Sequence, residues 1–132
     1  MPPSVTPPTV LVVDDEPSIL ETTRFILEAE GYRVLTARDG EEALRRVRAE
    51  HPPVVLLDVM LPRLDGFAVT RAIKADPTLV ATFVLVLTAR GQKADEALAF
   101  EAGADAYMRK PFDDEEILAR IAAVFAARAD RP

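Results

Sequence analysis

Three uninterrupted apolar runs constrain this chain more than any other feature: Val10-Leu11-Val12-Val13, Val54-Val55-Leu56-Leu57 and Phe83-Val84-Leu85-Val86-Leu87. They are short, rich in β-branched and aliphatic side chains, and lack the polar alternation of a strand with one wet face. Runs of this kind belong to strands covered on both faces, the situation of central strands in a parallel sheet layered with helices. Two further runs, Arg33 to Ala37 and a fifth around Tyr107 and Arg109, mix in polar residues and suit the edges of the same sheet.

Between the strands the apolar residues recur at helical spacing. Pro17 opens a first helix after Asp15-Glu16, and Ile19, Leu20, Thr23, Ile26 and Leu27 continue it up to Gly31. Asp39-Gly40 precedes a second helix over 41–49, with Ala43, Leu44 and Val47 inward. A third follows Gly66 through Phe67, Thr70 and Ile73, and Asp76-Pro77 ends it. The fourth, over 92–102, is weakly apolar, with Ala94, Ala97 and Leu98 as its expected inner face and Gly103 as its stop. In the last, Ile117, Leu118, Ile121, Val124 and Phe125 form one stripe. Alternation of five strands with five helices predicts a single doubly wound α/β domain with a five-stranded parallel sheet, and the order 2-1-3-4-5 places the two mixed strands at its edges.

At 132 residues the chain suits one core, and folding buries roughly two-thirds of the surface that the unfolded form exposes. Its net charge of −6 offers no general attraction for nucleic acid or an anionic membrane. The absence of cysteine rules out disulfides and thiolate metal sites and agrees with a reducing cytoplasm. No apolar run is long enough for a membrane span. Residues 1–8, with their prolines, read as an extended arm before a domain over 9–128 and a short tail over 129–132. His51, the only histidine, falls in Ala49-Glu50-His51-Pro52-Pro53 and reads as a solvated linker residue.

The apolar strands end in a particular set of polar groups. Asp14 and Asp15 follow the first strand, Asp58 the third, Thr88 the fourth, and Lys110 the fifth. In an open parallel sheet the carboxyl ends of neighbouring strands converge on one crevice, so these residues become neighbours there. Clustered carboxylates repel one another, and a divalent cation relieves that cost; oxygen-only ligands with room for water suit Mg²⁺. A carboxylate in Asp58's position can attack phosphorus and form an acyl phosphate, with Lys110 and Thr88 available to the phosphoryl oxygens. Each residue alone also has a bland role: Asp14-Asp15 as a helix cap beside Pro17, Lys110 as a surface lysine, Thr88 as an N-cap.

Together, from about Thr9 to Arg128, these motifs resemble the receiver domain of bacterial two-component response regulators, a flavodoxin-like fold. The resemblance implies an acidic pair at Asp14-Asp15, a phospho-acceptor at Asp58, and a switch hydroxyl with its small neighbour at Thr88-Ala89. It further implies a phosphoryl-binding lysine at Lys110, a cis bond before Pro111 and an aromatic switch at Tyr107. Mg²⁺ is then held by Asp15, Asp58 and the Met60 carbonyl, with Asp14 in support. A histidine kinase or histidine phosphotransfer protein supplies the phosphoryl group. A downstream protein target reads the surface of the fourth helix, fifth strand and fifth helix. On this reading the domain is a switch rather than an enzyme, cytoplasmic, with no direct contact to nucleic acid or membrane.

Two places depart from the common pattern. Met60 and Arg90 hold the positions that influence access of water to the phosphoryl group, and this pair resembles the winged-helix transcription-factor branch, which implies slow self-dephosphorylation. That branch dimerises through the fourth helix, fifth strand and fifth helix. Here Ala97, Phe100 and Leu118 can form the apolar patch, but Glu96 faces the acidic Glu116, and Ala106 stands where an aspartate would meet Arg120. Like charges oppose that pairing, so a monomer or weak dimer and a different protein partner are expected. Other readings are a receiver excised from a longer DNA-binding regulator or hybrid kinase, an aspartate-nucleophile phosphatase, and a flavin-binding module. The phosphatase normally places a general acid where this chain has Met60. The flavin module wants a phosphate-cradling loop where this chain has Asp14-Asp15-Glu16.

Overall fold

A computed structural model describes residues 8–61, 63–88, 93–110 and 112–129, with the side chains of 93–95 and 129 outside that description. Most of the proline-rich arm (residues 1–7) and of the tail (130–132) therefore lie outside the described residues.

Strands and helices alternate from end to end: β1 Thr9–Val13, α1 Pro17–Ala29, β2 Arg33–Ala37, α2 Gly40–Glu50, β3 Val54–Asp58, α3 Gly66–Ala75, β4 Phe83–Thr88, α4 Lys93–Glu101, β5 Ala106–Arg109 and α5 Asp114–Ala129. The five strands form one parallel sheet in the order β2-β1-β3-β4-β5, as the apolar runs predict. The mixed strands β2 and β5 take the edges, while every residue of β1 and β3 is buried.

Successive side chains along a strand point to opposite faces, so each strand feeds two cores. On one face Leu11, Val13, Val55, Leu57, Val84 and Val86 pack under Ala43 and Val47 of α2, Val69 and Ile73 of α3, and Ala99 of α4. On the other, Val10, Val12, Leu56, Leu85 and Leu87 pack under Leu20 and Leu27 of α1 and Ile117 and Ile121 of α5. Full burial of one such leucine or valine stabilises the fold by about 1.5–3 kcal/mol.

Local signals set the helix ends. Asp39 caps α2 by accepting from the Glu42 amide at 2.8 Å, and Asp65 caps α3 by accepting from Ala68 at 2.9 Å. His51 is exposed and closes α2 in the left-handed region, with φ of 48°.

In α4 the expected inner face is wrong. Ala97 is exposed and Leu98 is 44% exposed, whereas Ala99 is fully buried and Ala102 nearly so; the side chain of Ala94 lies outside the described residues. Apolar residues occur on every side of this helix, so periodicity alone does not choose a face. Ala99 sits in the core that also holds Ala104 and Val84, and turning it inward sends Leu98 and Phe100 outward.

Candidate functional site

The parallel register brings the carboxyl ends of β1, β3, β4 and β5 to one edge of the sheet. Val13 lies opposite Leu57, Asp58 opposite Leu87, and Thr88 opposite Arg109. Asp14, Asp58, Thr88 and Lys110 are each within one residue of those strand ends and therefore meet.

Carboxylate oxygens of Asp14, Asp15 and Asp58 lie within 4.8 Å of one another. Asp14 and Asp58 are buried, at 4% and 6% exposure, whereas Asp15 is exposed. The Lys110 ammonium spans the two buried acids, 2.8 Å from Asp14 Oδ2 and 3.6 Å from Asp58 Oδ2. Its own backbone is fixed by a 2.7 Å bond from its amide to the Thr88 carbonyl. Thr88 is buried at the end of β4, in the same set of strand termini.

The acidic pair is not a helix cap. The N-cap of α1 is Glu16, which makes no side-chain cap bond, and Pro17 opens the helix. Asp14 Oδ1 instead accepts from the Glu16 amide at 3.0 Å, which leaves Oδ2 for Lys110.

Asp58 is held in place chiefly by its backbone. Its Oδ1 is 3.5 Å from the Met60 amide, a long contact. The following residue, Val59, donates to the Leu87 carbonyl at 3.0 Å, while its own carbonyl accepts from Leu61 and Gly66. Gly66, the first residue of α3, lies so close that a Cβ there would sit 2.5 Å from the Asp58 carbonyl oxygen. Only glycine permits that approach.

The Asp58 carboxyl is pushed above its ordinary range, first by burial and then by the charges of Asp14 and Asp15, with Lys110 and the Met60 amide pulling the other way. A buried carboxylate that resists ionisation beside two more acids is an electrostatic demand for a cation. The donor set is all oxygen, which fits Mg²⁺ better than a softer metal. The site therefore passes the test for a hard divalent cation.

The remaining sequence-derived residues fall around this centre. Tyr107 is half-buried in β5 and packs against the core under α2, α3 and α4. Met60 is 56% exposed at the mouth of the site. Ala97 and Phe100 are exposed on α4, and Leu118 is half-buried against the core under α1 and α5. Ala89, Arg90 and Pro111 lie outside the described residues. Neither the close approach of Gly66 nor the groove between α1 and α5 was anticipated from the sequence.

That groove, about 560 Å³, opens beside Lys110. Ile19, Ile26, Phe112 and Ile117 make it mainly apolar, with Ser18 and Thr22 at its polar side.

The family model described as the response regulator receiver domain matches residues 10–122. The alkaline phosphatase synthesis transcriptional regulatory protein PhoP of Bacillus subtilis is 45% identical over 115 residues, which cover 87% of this chain and 47% of that protein. The DNA-binding response regulator MtrA of Mycolicibacterium smegmatis is 40% identical over 123 residues, covering 93% and 53%. The chain thus spans about half the length of these curated relatives. Among solved structures, the chemotaxis protein CheY4 of Vibrio cholerae superposes with a TM-score of 0.84 at 31% identity, over 90% of this chain and 99% of that one. A Francisella response regulator receiver domain gives 0.85 at 28% identity, over 92% and 98%.

Proposed function

This chain belongs to the response regulator receiver family of two-component systems, and on that premise we propose that Asp58 is its phospho-acceptor and that Mg²⁺ is its cofactor. The single observation that carries the reading is the buried Asp58 carboxylate between Lys110 and two further acids at the sheet edge.

An Asp58 carboxylate oxygen attacks the phosphorus of a donor phosphohistidine; the O–P bond forms as the N–P bond breaks, and the imidazole leaves and takes a proton from solvent. Asp14, Asp15, Asp58 and the Met60 carbonyl are the groups that would hold Mg²⁺, which when bound would supply neutralisation of charge on the phosphoryl oxygens. The protein's own contribution is alignment and charge. Lys110, already 3.6 Å from Asp58, is placed to pair with a phosphoryl oxygen, and Asp14 keeps its ammonium at the site. Thr88 supplies a hydroxyl from the next strand, and Tyr107 lies one strand further on. We assign them the switch roles, with Ala89 as the small residue that follows Thr88 in the sequence.

The donor is a histidine kinase or phosphotransfer protein, and the groove between α1 and α5 gives it an apolar surface beside the site. The target reads α4, β5 and α5. The exposed side chains of Ala97 and Phe100 support this, as do Glu96 and Glu116, whose like charges disfavour a symmetric dimer. The domain catalyses only its own phosphorylation and dephosphorylation. Among the described residues no helix is long and apolar enough to cross a membrane; we place the protein in the cytoplasm, where kinase and target meet it.

The test is intact mass after incubation with acetyl phosphate and Mg²⁺. One phosphoryl group should be gained in the native chain and none in Asp58→Asn or in the presence of a chelator. Equal labelling of both chains would refute the assignment.

A further inference from the structure

Far from the phosphoryl site, a second lysine is just as deeply enclosed. Lys74, in the last turn of α3, keeps 16% of its side chain exposed, and its ammonium meets three oxygens: the Thr82 carbonyl at 2.6 Å, Asp105 Oδ2 at 2.7 Å and the Val80 carbonyl at 3.0 Å. An ammonium has three N–H donors, so this set uses all of them. The same Asp105 oxygen accepts from the Val84 amide at 2.8 Å, and the Asp105 amide donates to the Val84 carbonyl at 3.0 Å. Lys74 thereby ties α3, the α3–β4 connection and the turn between α4 and β5 into one knot.

The backbone of that turn is built around the lysine. Gly103 has φ of +105°, and a Cβ there would lie 2.9 Å from Lys74 Cγ and 3.2 Å from Lys74 Cβ. Its missing side chain is the space the lysine stem fills. The end of α4 is also closed by a paired cap: the Ala104 amide donates to the Ala99 carbonyl, and the Gly103 amide to that of Phe100, each at 3.0 Å. By contrast, the described side chains earlier in α4 have little hold. Glu96, Ala97, Leu98 and Phe100 are exposed, and of those described within the helix Ala99 alone is buried.

We infer that Lys74 is the pin of a hinge: with Asp105 and Gly103 it fixes the C-terminal end of α4 and the start of β5, leaving the rest of α4 to move about that point. Why such a movement matters rests on the switch reading above; the pin itself does not. The knot is a positioning device, remote from the chemistry. Its consequence is that α4 is displaced as a lever and keeps its junction with β5, whose next residues are Ala106 and the aromatic Tyr107.

Amide hydrogen exchange by NMR on the whole chain tests this. In the resting native protein the amides of Ala102, Gly103, Ala104 and Asp105 should exchange more slowly than those of Ala97 and Leu98. Lys74→Met should accelerate those four by about tenfold or more while the Val59 and Asp14 amides stay unchanged. Asp105→Asn, nearly isosteric and able to keep the Val84 bond, should give the same pattern at smaller amplitude and decides the matter if Lys74→Met does not fold. Uniform acceleration throughout the sheet, no change at the four amides, or a native α4 that exchanges evenly along its length would each overturn the inference. Under acetyl phosphate and Mg²⁺, shifts in the native chain should reach Ala97 and Leu98 and stop before Gly103, but run through to Asp105 in Lys74→Met. Intact mass reports separately whether Asp58 is phosphorylated, so failure of that chemistry is distinguishable, and the resting exchange still decides the hinge.

Discussion

Replacing Asp58 by asparagine should make the metal-free protein more stable, although it removes the residue on which the proposed chemistry depends. Carboxylate oxygens of Asp14, Asp15 and Asp58 lie within 4.8 Å of one another. At an effective dielectric of 20, each pair at that distance repels by about 3–4 kcal/mol, and Lys110 at 3.6 Å attracts Asp58 by about 4–5 kcal/mol. Two repulsions exceed one attraction, and the exposure of Asp15 to water reduces the excess. The carboxamide of the Asp58→Asn variant keeps an acceptor for the Met60 amide and leaves Lys110 its closer partner, Asp14. The expected gain is about 1–3 kcal/mol, or about 3–10 °C in Tm for a chain of this size.

The pH dependence has a definite sign. The folded state raises the Asp58 carboxyl above its ordinary value, so below that value the native residue is protonated in both states and carries no penalty. As pH rises through the raised folded value the folded protein must ionise against its surroundings, and stability falls. The advantage of Asp58→Asn should therefore be small in acid and complete at neutral pH. Mg²⁺ should close the gap by stabilising the native chain more than the variant. Thermal unfolding followed by circular dichroism, in chelator and in millimolar Mg²⁺, measures all three effects. A variant less stable than the native chain in chelator, or a gap that Mg²⁺ leaves intact, would refute the electrostatic reasoning.

Two further substitutions probe the mouth and floor of the site. Met60→Asn should speed loss of the phosphoryl group, because a small polar side chain replaces a thioether that shields the mouth; an unchanged or slower rate, measured by intact mass over time, would contradict shielding. Gly66→Ala should cost about 1–3 kcal/mol and slow labelling by acetyl phosphate, since the new Cβ must displace the Asp58 carbonyl. Gly31→Ala, at φ of +95° but in open space, should lower stability through backbone strain while labelling at the native rate.

Much of the architecture was legible because buried parallel strands leave an unmistakable trace. Four or five consecutive aliphatic residues admit few alternatives, and the mixed runs mark the two strands at the edges of the sheet. The site was legible for the same reason: Asp14, Asp58, Thr88 and Lys110 stand where those runs stop. α4 was misread because its apolar residues do not favour one side, so its orientation was decided by which small side chain fitted against Val84 and Ala104. Contacts made by missing atoms were invisible. Nothing in the sequence announces that Gly66 exists to admit the Asp58 backbone, or that Gly103 makes room for Lys74. The partners of Lys74 include two backbone carbonyls, which carry no residue signature at all.

The alternation of side chains along the strands makes the sheet a partition between two compartments. The groove beside Lys110 belongs to the compartment of α1 and α5, whereas α4 is seated on the opposite one through Ala99. The cluster of Asp14, Asp15 and Asp58 lies at the rim of that partition, where both compartments end. A protein lodged in the groove and another gripping the outer side of α4 would therefore approach from opposite faces of the sheet, and α5 is the ground on which they would meet.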